Sequence, residues 1–406
     1  MDLLSNLNPQ QREAVCMTEG PLLILAGAGS GKTRVITHRI AHLISEKGMA
    51  SHRILAVTFT NKAAGEMKDR VEALLGERAK GLWVSTFHST CARVLRRHAG
   101  RIGLPTDFAL YDAADQMVLV KECFSELNLN EELYPPRTVL GRIGRLKHRL
   151  IEPEEFGRSA SPFGLDEKVY RVYLRYQEKL ARAGGLDFDD LIGGAIRLFE
   201  TAPDLLAGYQ EQFRYIMVDE YQDTNHAQYR LVNLLARRHG NLCVVGDDDQ
   251  SIYAFRGADV TNILSFERDY PTAHVITLGQ NYRSTQSILD AASTVIAKNP
   301  RRKEKRLFTE KAAGDRPTWC RVADEMEEAR YLCRTIRRLK REDGLDYANF
   351  CVLYRTNAQS RVIEEAFRSE EIPYLIVGGL KFYERKEVKD LIAFLRVIVN
   401  PSDNVA

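Results

Sequence analysis

The feature that most constrains this chain is the glycine-rich stretch Ala26–Thr33, which follows a short apolar run and precedes a segment with helical periodicity. A strand, a glycine-rich loop and a helix in this order predict a P-loop, whose backbone N–H groups and helix N-terminus bind a polyphosphate. We expect Lys32 to reach the β- and γ-phosphates and the Thr33 hydroxyl to hold Mg²⁺. Ala26 replaces the usual first glycine, and a turn that merely precedes a helix is the alternative interpretation.

The composition limits the classes of protein to which this chain can belong, but it does not identify a binding partner. A chain of 406 residues exceeds one ordinary core, so two or three domains are expected. The net charge of +3 means that any affinity for nucleic acid must come from local patches. The seven cysteines form no C-x₂-C pair, which predicts buried thiols in a reducing compartment rather than a zinc site or a disulfide framework. A signal-like start and a long apolar run are both missing, so we expect a cytoplasmic protein without membrane contact.

Short apolar runs alternate with amphipathic segments over most of the chain. This alternation predicts an α/β fold with a parallel, doubly wound sheet, whose ligands bind outside the carboxyl ends of the strands. The predicted strands are 22–25, 54–58, 83–86, 215–218, 242–245 and 275–278.

Between about 111 and 185 the strand signal disappears and helical periodicity dominates, which predicts a helical insertion with helices at 114–127, 138–150 and 166–183. Its basic residues either track a phosphate backbone or form a solvated helix face. They are Arg142, Arg145, Lys147, His148 and Arg149.

Aromatic side chains follow two predicted strands, at Phe59 and at Phe87–His88. Exposed aromatic rings beside small polar residues at this edge of a sheet suit base stacking. The alternative is that Phe59 and Phe87 pack in the core and that His88 is a loop histidine with a local partner.

Two adjacent acids, Asp219 and Glu220, end the strand at 215–218. A P-loop ATPase needs one carboxylate to hold Mg²⁺ and a second to orient and deprotonate the attacking water. Asp219 and Glu220 are predicted to take these two roles in that order. An acidic helix cap is the alternative.

Residues 246–257 combine an amide, Gln250, with the aromatic residues Tyr253 and Phe255 and with Arg256. Such a segment can contact the γ-phosphate at one end and stack on bases at the other. This arrangement would couple the binding and hydrolysis of ATP to the affinity for a nucleic-acid strand. Farther along the chain, residues 280–284 supply a candidate adenine platform and a candidate arginine finger.

In their order and spacing, these segments resemble the motif set of the UvrD/Rep/PcrA-type superfamily 1 DNA helicases across essentially the whole chain. The resemblance implies a RecA-like P-loop domain with a helical insertion, followed by a partial second RecA-like domain. It also implies ATP-driven 3′-to-5′ movement along single-stranded DNA. The matching segments are Gln11, 26–33, 57–64, 85–89, 219–223, 246–257, 280–284, 354–361 and 378–383.

For the nucleotide, the resemblance implies a catalytic group of Lys32, Glu220 as base, Gln250 as γ-phosphate sensor and Arg283 as finger. Gln11 and Tyr282 would recognise adenine, and Thr33 and Asp219 would hold Mg²⁺. The complete ATP-binding set is Gln11, Ala28, Gly29, Ser30, Gly31, Lys32, Thr33, Arg34, Tyr282 and Arg283.

For DNA, the resemblance implies a set of aromatic and polar contacts. At position 255 many relatives carry a tryptophan, and phenylalanine retains a stacking face with less area. The DNA-binding set is Phe59, Asn61, His88, Tyr253, Phe255, Arg256, Arg355 and Asn357.

The domain organisation expected from the resemblance ends in an incomplete second domain, with strands at 318–322 and 350–354 and helices at 326–339, 361–369 and 385–397. We therefore expect a truncated piece of a longer chain. The basic run 301–306 is either a DNA contact or a solvated loop. The predicted domains are 1–110 and 186–279 for the first RecA-like domain, 111–185 for the insertion, 280–380 for the second domain and 381–406 for the start of its own insertion.

The sequence thus predicts an ATP-dependent DNA translocase or helicase of DNA repair or replication, which uses ATP and Mg²⁺. Its expected partners are single-stranded DNA, DNA junctions and repair or replication proteins. Two alternatives stay open: a nucleotide- and DNA-binding fragment without unwinding activity, and the ATPase part of a helicase–nuclease or of another P-loop ATPase.

Overall fold

The structure is a computed structural model that describes residues 3–377, 390, 391 and 394. Its described residues form eight strands and sixteen helices. The strands are β1 (Leu22–Ala26), β2 (Ile54–Thr58), β3 (Trp83–Thr86), β4 (Ala109–Tyr111), β5 (Gly185–Asp187), β6 (Tyr215–Val218), β7 (Leu242–Gly246) and β8 (His274–Leu278).

Of the sixteen α-helices, the five predicted over 114–127, 138–150, 166–183, 326–339 and 361–369 form with ends within three residues of those bounds. All sixteen lie between positions 9 and 369. They are α1 (Pro9–Cys16), α2 (Lys32–Ser45), α3 (Asn61–Leu75), α4 (Phe87–His98), α5 (Ala113–Glu126), α6 (Pro136–His148), α7 (Pro153–Ser159), α8 (Leu165–Arg182), α9 (Phe188–Thr201), α10 (Pro203–Gln212), α11 (His226–Ala236), α12 (Thr261–Leu264), α13 (Phe266–Asp269), α14 (Gln286–Ile296), α15 (Glu325–Glu342) and α16 (Ser360–Ser369).

Six strands form one parallel sheet in the order β3-β2-β6-β7-β1-β8, which confirms the predicted α/β fold. Successive side chains of a strand point to opposite faces. Leu23 and Val57 pack in the core under α4, α9 and α11, whereas Ile24 and Ala56 pack in the core under α1, α2 and α3. Because both faces are covered, the strands read as continuous apolar runs rather than alternating ones.

The chain divides into two compact units, with one break after Asp315, and the second unit comprises Arg316–Leu391. The break lies later than position 280, where the sequence places the start of the second domain. Residues after β8 stay with the first unit because the chain returns to it: Asn281 N–H donates to Phe308 O at 2.7 Å, and Phe308 N–H donates to Gly279 O at 3.1 Å.

The helical insertion begins and ends at a small parallel pair, β4 with β5. Helices α5, α6, α7 and α8 follow β4 and surround their own apolar core, as the loss of strand signal predicts.

The basic residues of the insertion neither all form a solvated helix face nor all remain available to a phosphate backbone. Lys147 is buried and pairs with Asp187 at 2.5 Å and Asp190 at 2.8 Å. His148 Nε2 lies 3.0 Å from Asp189. Arg142 pairs with Asp166, and the exposed members are Arg145 and Arg149.

In the second unit, α15 and α16 form as predicted and enclose a small core that includes Cys333, Ile336 and Phe367. The strands predicted at 318–322 and 350–354 are wrong, since neither segment has a strand partner in the described part of the unit. A strand needs a neighbour for its N–H and C=O groups, so local propensity alone does not form one. The predicted helix at 385–397 and the motif at 378–383 lie outside the described residues, apart from the isolated positions 390, 391 and 394.

All seven cysteines are free thiols, but the prediction that they are buried is wrong for Cys16, Cys320 and Cys351. Cys16 is the last residue of α1, and the other two lie in the segments that form no strand, so no neighbouring layer covers them. Within the described residues, no helix has both the length and the apolar character needed to cross a bilayer.

The buried Lys147 yields a prediction about the stability of the insertion. Replacing Lys147 by alanine leaves Asp187 and Asp190 buried without their cation, so Lys147→Ala is expected to lower the free energy of unfolding by about 3 kcal/mol. Urea unfolding followed by circular dichroism measures the change. The matched control is Lys121→Ala, at an exposed lysine of α5. Equal stability of the two variants would contradict the role of the buried pair.

Candidate nucleotide site and nucleic-acid interface

The predicted P-loop connects the end of β1 to the start of α2. Gly29 and Gly31 have φ values of +69° and +87°, a left-handed conformation that glycine adopts without strain. Gly31 precedes the first helical residue, Lys32, so the positive end of the helix dipole faces the loop. The Ser30 hydroxyl donates to Gly27 O at 2.7 Å, which closes the turn. Strand, loop and helix therefore have the arrangement that binds an anion.

Gln11 is fully buried beside this loop, where its Nε2 donates to Ser30 O at 2.9 Å. Asn8 caps α1 together with Gln11, as its position before Pro9 indicates. Asn8 Nδ2 also donates to the Tyr282 hydroxyl at 2.9 Å, and Tyr282 N–H donates to Gly29 O at 2.9 Å. The two candidate adenine residues thus bind the carbonyl groups of adjacent loop residues, and adenine recognition itself stays a prediction.

The candidate base lies against the P-loop lysine, with Lys32 Nζ 2.6 Å from Glu220 Oε2. Glu220 has a left-handed φ of +50°, which is uncommon for a residue with a side chain and is found at functional sites. Gln222 is 1% exposed, and its Nε2 donates to Glu220 Oε2 at 2.9 Å. Its Oε1 accepts from Asp247 N–H at 2.9 Å, so this amide joins the acidic pair to the segment after β7.

Asp219 ends β6 and is 6% exposed. Burial raises its pKa to about 6, and the charge of Glu220 adds to the shift while Lys32 opposes it. Asp223 has the same pKa of about 6 for the same reasons, and its Oδ1 has no hydrogen-bond partner among the described residues. Buried carboxylate oxygens that are incompletely neutralised fit a hard cation such as Mg²⁺. Asp219 and the Thr33 hydroxyl are the residues that would hold it.

Gln250 belongs to a short turn after β7, where its Nε2 donates to Asp247 Oδ2 at 2.5 Å. The Asp247 carboxylate therefore fixes the position of the Gln250 amide group. Through Gln222, the same turn is connected to Glu220, and the role of Gln250 as γ-phosphate sensor stays a prediction.

Arg283 follows β8 and carries an exposed side chain. Its Cβ packs so closely on the P-loop that a side chain at Gly29 would come within 2.7 Å of it. Asn281, which is 2% exposed, accepts from the N–H groups of Arg283 and Ser284 and donates to Ala28 O at 2.5 Å. The structure thus brings Arg283 to the P-loop at Gly29. Arg34, the other arginine of the predicted set, is exposed in the first turn of α2.

Three predicted DNA residues form one aromatic cluster on the surface. Phe59 stacks on Tyr253, with ring centroids 5.7 Å apart, and Tyr253 lies 6.1 Å from Phe255. Phe255 is 73% exposed, and the Arg256 guanidinium lies 5.4 Å and 5.5 Å from the two ring centroids of Tyr253 and Phe255. An exposed ring beside a cation suits stacking on a base next to a phosphate. Of the two aromatic residues that the sequence left open, Phe59 is on this surface and Phe87 is core.

His88 is half-buried at the start of α4 and contacts the exposed Phe188 edge-on, with ring centroids 5.8 Å apart. Burial lowers the pKa of His88, with His148 adding to the shift and Asp189 opposing it, which favours the neutral imidazole. Asn61 is exposed at the first position of α3. Arg355 and Asn357 belong to the second compact unit, where both side chains are exposed. Their contacts with DNA stay predictions.

Sequence reasoning did not single out Gln222, Asn281 or Phe188. The first two lie inside recognised motifs, yet nothing local distinguishes a bridging amide from an ordinary polar residue. Phe188 follows β5 between acidic residues, and only the fold places it against His88.

Comparison with known proteins places these motifs in a family. Residues 7–271 match the model of the UvrD/REP helicase N-terminal domain, and residues 276–406 match the UvrD-like helicase C-terminal domain. The chain is 54% identical over 404 residues to the ATP-dependent DNA helicase PcrA of Bacillus subtilis strain 168. It is 53% identical to the PcrA proteins of Staphylococcus epidermidis and Leuconostoc citreum. These alignments cover 100% of this chain but 54%, 55% and 54% of the three relatives, so the chain spans about half of their length.

The raised pKa of Asp219 predicts a conflict between stability and function. An ionised Asp219 destabilises the fold above pH 6, and this cost disappears as the pH falls from about 6 toward 4, where the carboxyl is protonated in both states. Asp219→Asn is therefore expected to raise the free energy of unfolding by about 1–2 kcal/mol at pH 8 and by much less at pH 5. Thermal or urea unfolding across this pH range, without nucleotide, measures the difference.

Asp69→Asn, at an exposed position of α3, is the control and should change stability little at either pH. A pH-independent effect of Asp219→Asn would contradict the titration of this carboxyl.

Proposed function

Because this chain belongs to the UvrD/REP helicase family, we propose that it carries the nucleotide- and strand-binding machinery of an ATP-dependent DNA helicase. The observation that carries the proposal is the course of residues 247–256. At one end of this segment Gln250 binds Asp247, whose N–H donates to Gln222, and Gln222 in turn binds Glu220. At the other end the half-buried Tyr253 and the exposed Phe255 form an aromatic surface. One short segment therefore touches both ligands, so a change at one is transmitted to the other.

In the proposed reaction, Lys32 leaves Glu220 and pairs with the β- and γ-phosphates of ATP. This frees Glu220, still hydrogen-bonded to Gln222, to accept a proton from the attacking water. Gln250 and Arg283 stabilise the charge that develops on the transferred phosphoryl group. Mg²⁺ held by Thr33 and Asp219 would neutralise charge on the β- and γ-phosphates. The contact of Lys32 with Glu220 places the phosphate-binding cation directly beside the proposed base.

For the nucleic acid, we infer that single-stranded DNA lies over Phe59, Tyr253 and Phe255, with Arg256 near a phosphate. Asn61, His88, Arg355 and Asn357 extend this surface in the proposal. Movement in the 3′-to-5′ direction, action at DNA junctions, partners in repair or replication and a cytoplasmic location belong to the same proposal. They rest on the resemblance to the helicase family.

A second candidate is a nucleotide- and DNA-binding piece that does not unwind DNA. It uses the same P-loop and the same aromatic surface, but without coupling between them. The two candidates differ in turnover, because both bind ATP but only the first couples DNA to hydrolysis.

The P-loop assignment predicts the behaviour of two variants. Lys32→Ala should abolish ATP turnover because it removes the cation that pairs with the phosphates. Glu220→Gln should abolish turnover while nucleotide still binds, because the amide cannot accept the proton. Phosphate release with and without oligo-dT, together with binding of a fluorescent nucleotide, measures both.

Lys47→Ala, at an exposed lysine just after α2, is the matched control for Lys32→Ala. Undiminished turnover in Lys32→Ala would refute the site. Nucleotide binding without DNA-stimulated turnover in the wild-type chain would favour the second candidate.

The aromatic surface gives a separate prediction for DNA. Phe255→Ala should weaken binding of oligo-dT by about 1–3 kcal/mol, the range for loss of one base–aromatic stack. Fluorescence anisotropy at a fixed salt concentration measures the dissociation constant. Phe163→Ala removes a ring that is 82% exposed in the insertion and serves as the control. If both variants bind DNA like the wild type, Phe255 does not stack on a base.

A further inference from the structure

Within the basic run 301–306, Arg301 and Arg306 are exposed, but Arg302, Lys303 and Lys305 bind acidic side chains of the protein. The Lys305 side chain is 1% exposed, so it is not part of a solvated loop and cannot reach DNA. Its Nζ lies 2.9 Å from Asp247, 2.5 Å from Asp248 and 2.8 Å from Asp249. One buried ammonium thus binds all three carboxylates of the turn after β7.

The residues around Lys305 attach to the same turn. Arg302 makes two hydrogen bonds to the Asp249 carboxylate, at 2.8 Å and 2.9 Å, in the bidentate geometry that orients both groups. The Lys303 N–H donates to Asp248 Oδ2 at 2.6 Å. Three successive acids are therefore each held by a different part of one short segment.

The segment then continues to the P-loop. Leu307 packs on Gly27 so closely that a side chain there would come within 2.2 Å of it. Phe308 exchanges backbone hydrogen bonds with Gly279 and Asn281, next to Arg283. Residues 302–308, which we call the clasp, thereby contact the turn of Gln250, the P-loop and the loop of Arg283.

Within this arrangement the Asp247 carboxylate has three partners. Its Oδ1 lies 2.9 Å from Lys305 Nζ and also accepts from Asp249 N–H at 3.2 Å, and its Oδ2 accepts from Gln250 Nε2. A carboxylate held at one oxygen by a buried ammonium has a fixed orientation, and it fixes the amide at the other oxygen. Lys305 therefore acts on Gln250 through Asp247.

We propose that Lys305 is a positioning residue that sets the ability of the nucleotide site to distinguish ATP from ADP, by holding Asp247 and through it Gln250. The inference rests on the proposed function, in which Gln250 contacts the γ-phosphate. It extends that function, because the γ-phosphate contact of Gln250 would then depend on a residue outside the recognised motifs.

The electrostatics agree with this role. Burial by itself would lower the pKa of Lys305, but its hydrogen bonds to Asp248, Asp249 and Asp247 outweigh burial and hold the pKa above its usual value. Arg302 and Lys305 together hold the pKa of Asp249 below its usual value against the effect of burial. Lys305 therefore carries its positive charge at neutral pH.

The test compares affinities for a non-hydrolysable ATP analogue and for ADP, both with Mg²⁺, by displacement of a fluorescent nucleotide from the 406-residue chain. In the wild type the analogue should bind more tightly. Lys305→Met should reduce the ratio of the two affinities by about tenfold, as loss of one hydrogen bond to a charged group implies, and leave the ADP affinity unchanged. Gln250→Ala sets the ratio expected without the sensor. Lys303→Met is the matched control, because its side chain binds Glu267 and not the acidic turn.

A second variant separates position from charge and covers the case in which Lys305→Met fails to fold. Lys305→Met with Asp248→Asn removes one negative charge along with the positive one, so it should recover thermal stability. Because the buried ammonium then no longer holds Asp247 and only the Asp249 N–H remains on Oδ1, the double variant should keep the low affinity ratio of Gln250→Ala. Recovery of the wild-type ratio in this double variant would overturn the inference, since Lys305 would then only balance charge. A folded Lys305→Met variant with the wild-type ratio would overturn it as well.

Failure of the proposed function has a different signature. If the wild-type chain does not prefer the triphosphate and Gln250→Ala changes nothing, both the sensor and the inference fail. If Gln250→Ala abolishes the preference and Lys305→Met retains it, only the inference fails.

Discussion

The parallel hydrogen-bonded order of the six-stranded sheet is the constraint on which the rest of the site depends. Strand β7 lies between β6 and β1, so the turn of Asp247 and Gln250 lies between the acidic pair and the P-loop. Strand β2 adjoins β6 and ends just before Phe59, while β8 adjoins β1 and leads into Arg283. Parallel strands bring all their carboxyl ends to one edge, which is why residues more than two hundred positions apart meet there.

Two groups of acids share this edge, and each is balanced by lysine in a different way. Lys32 pairs with Glu220 at a position that retains some exposure, and this pair can separate when phosphates compete for the lysine. Lys305 is enclosed by three carboxylates and has no such competitor, so its contact is part of the fold. Gln222 joins the two groups, since it binds Glu220 with one end and the backbone of Asp247 with the other. A change in charge at the P-loop is therefore transmitted to the turn that carries Gln250.

The same physics explains which structural predictions failed. The two strands predicted in the second unit have the composition of strands, yet their apolar residues Trp319 and Leu353 are 83% and 89% exposed. Helices α15 and α16 form because a helix satisfies its own backbone hydrogen bonds and needs only one buried face. The backbone N–H and C=O groups of a strand find hydrogen-bond partners only when the strand pairs with another strand. Local sequence thus predicts helices with less dependence on the rest of the chain.

The sequence by itself determined the parallel α/β class, the limits of the helices in the insertion and in the second unit, and the identity of the P-loop and of the acidic pair, with α7 as the one helix of the insertion that it did not predict. These features depend on the spacing of residue types along the chain, and the motifs that contain Gly31, Lys32 and Asp219 are recognised by that spacing. Only the tertiary structure decided that Phe59 is a surface residue and Phe87 a core residue, that Gln222 bridges two motifs and that Lys305 is buried. Each of these depends on a contact between segments distant in sequence. The pKa of a charged group and the burial of an aromatic ring depend on the residues packed around them, and the sequence does not show which residues those are.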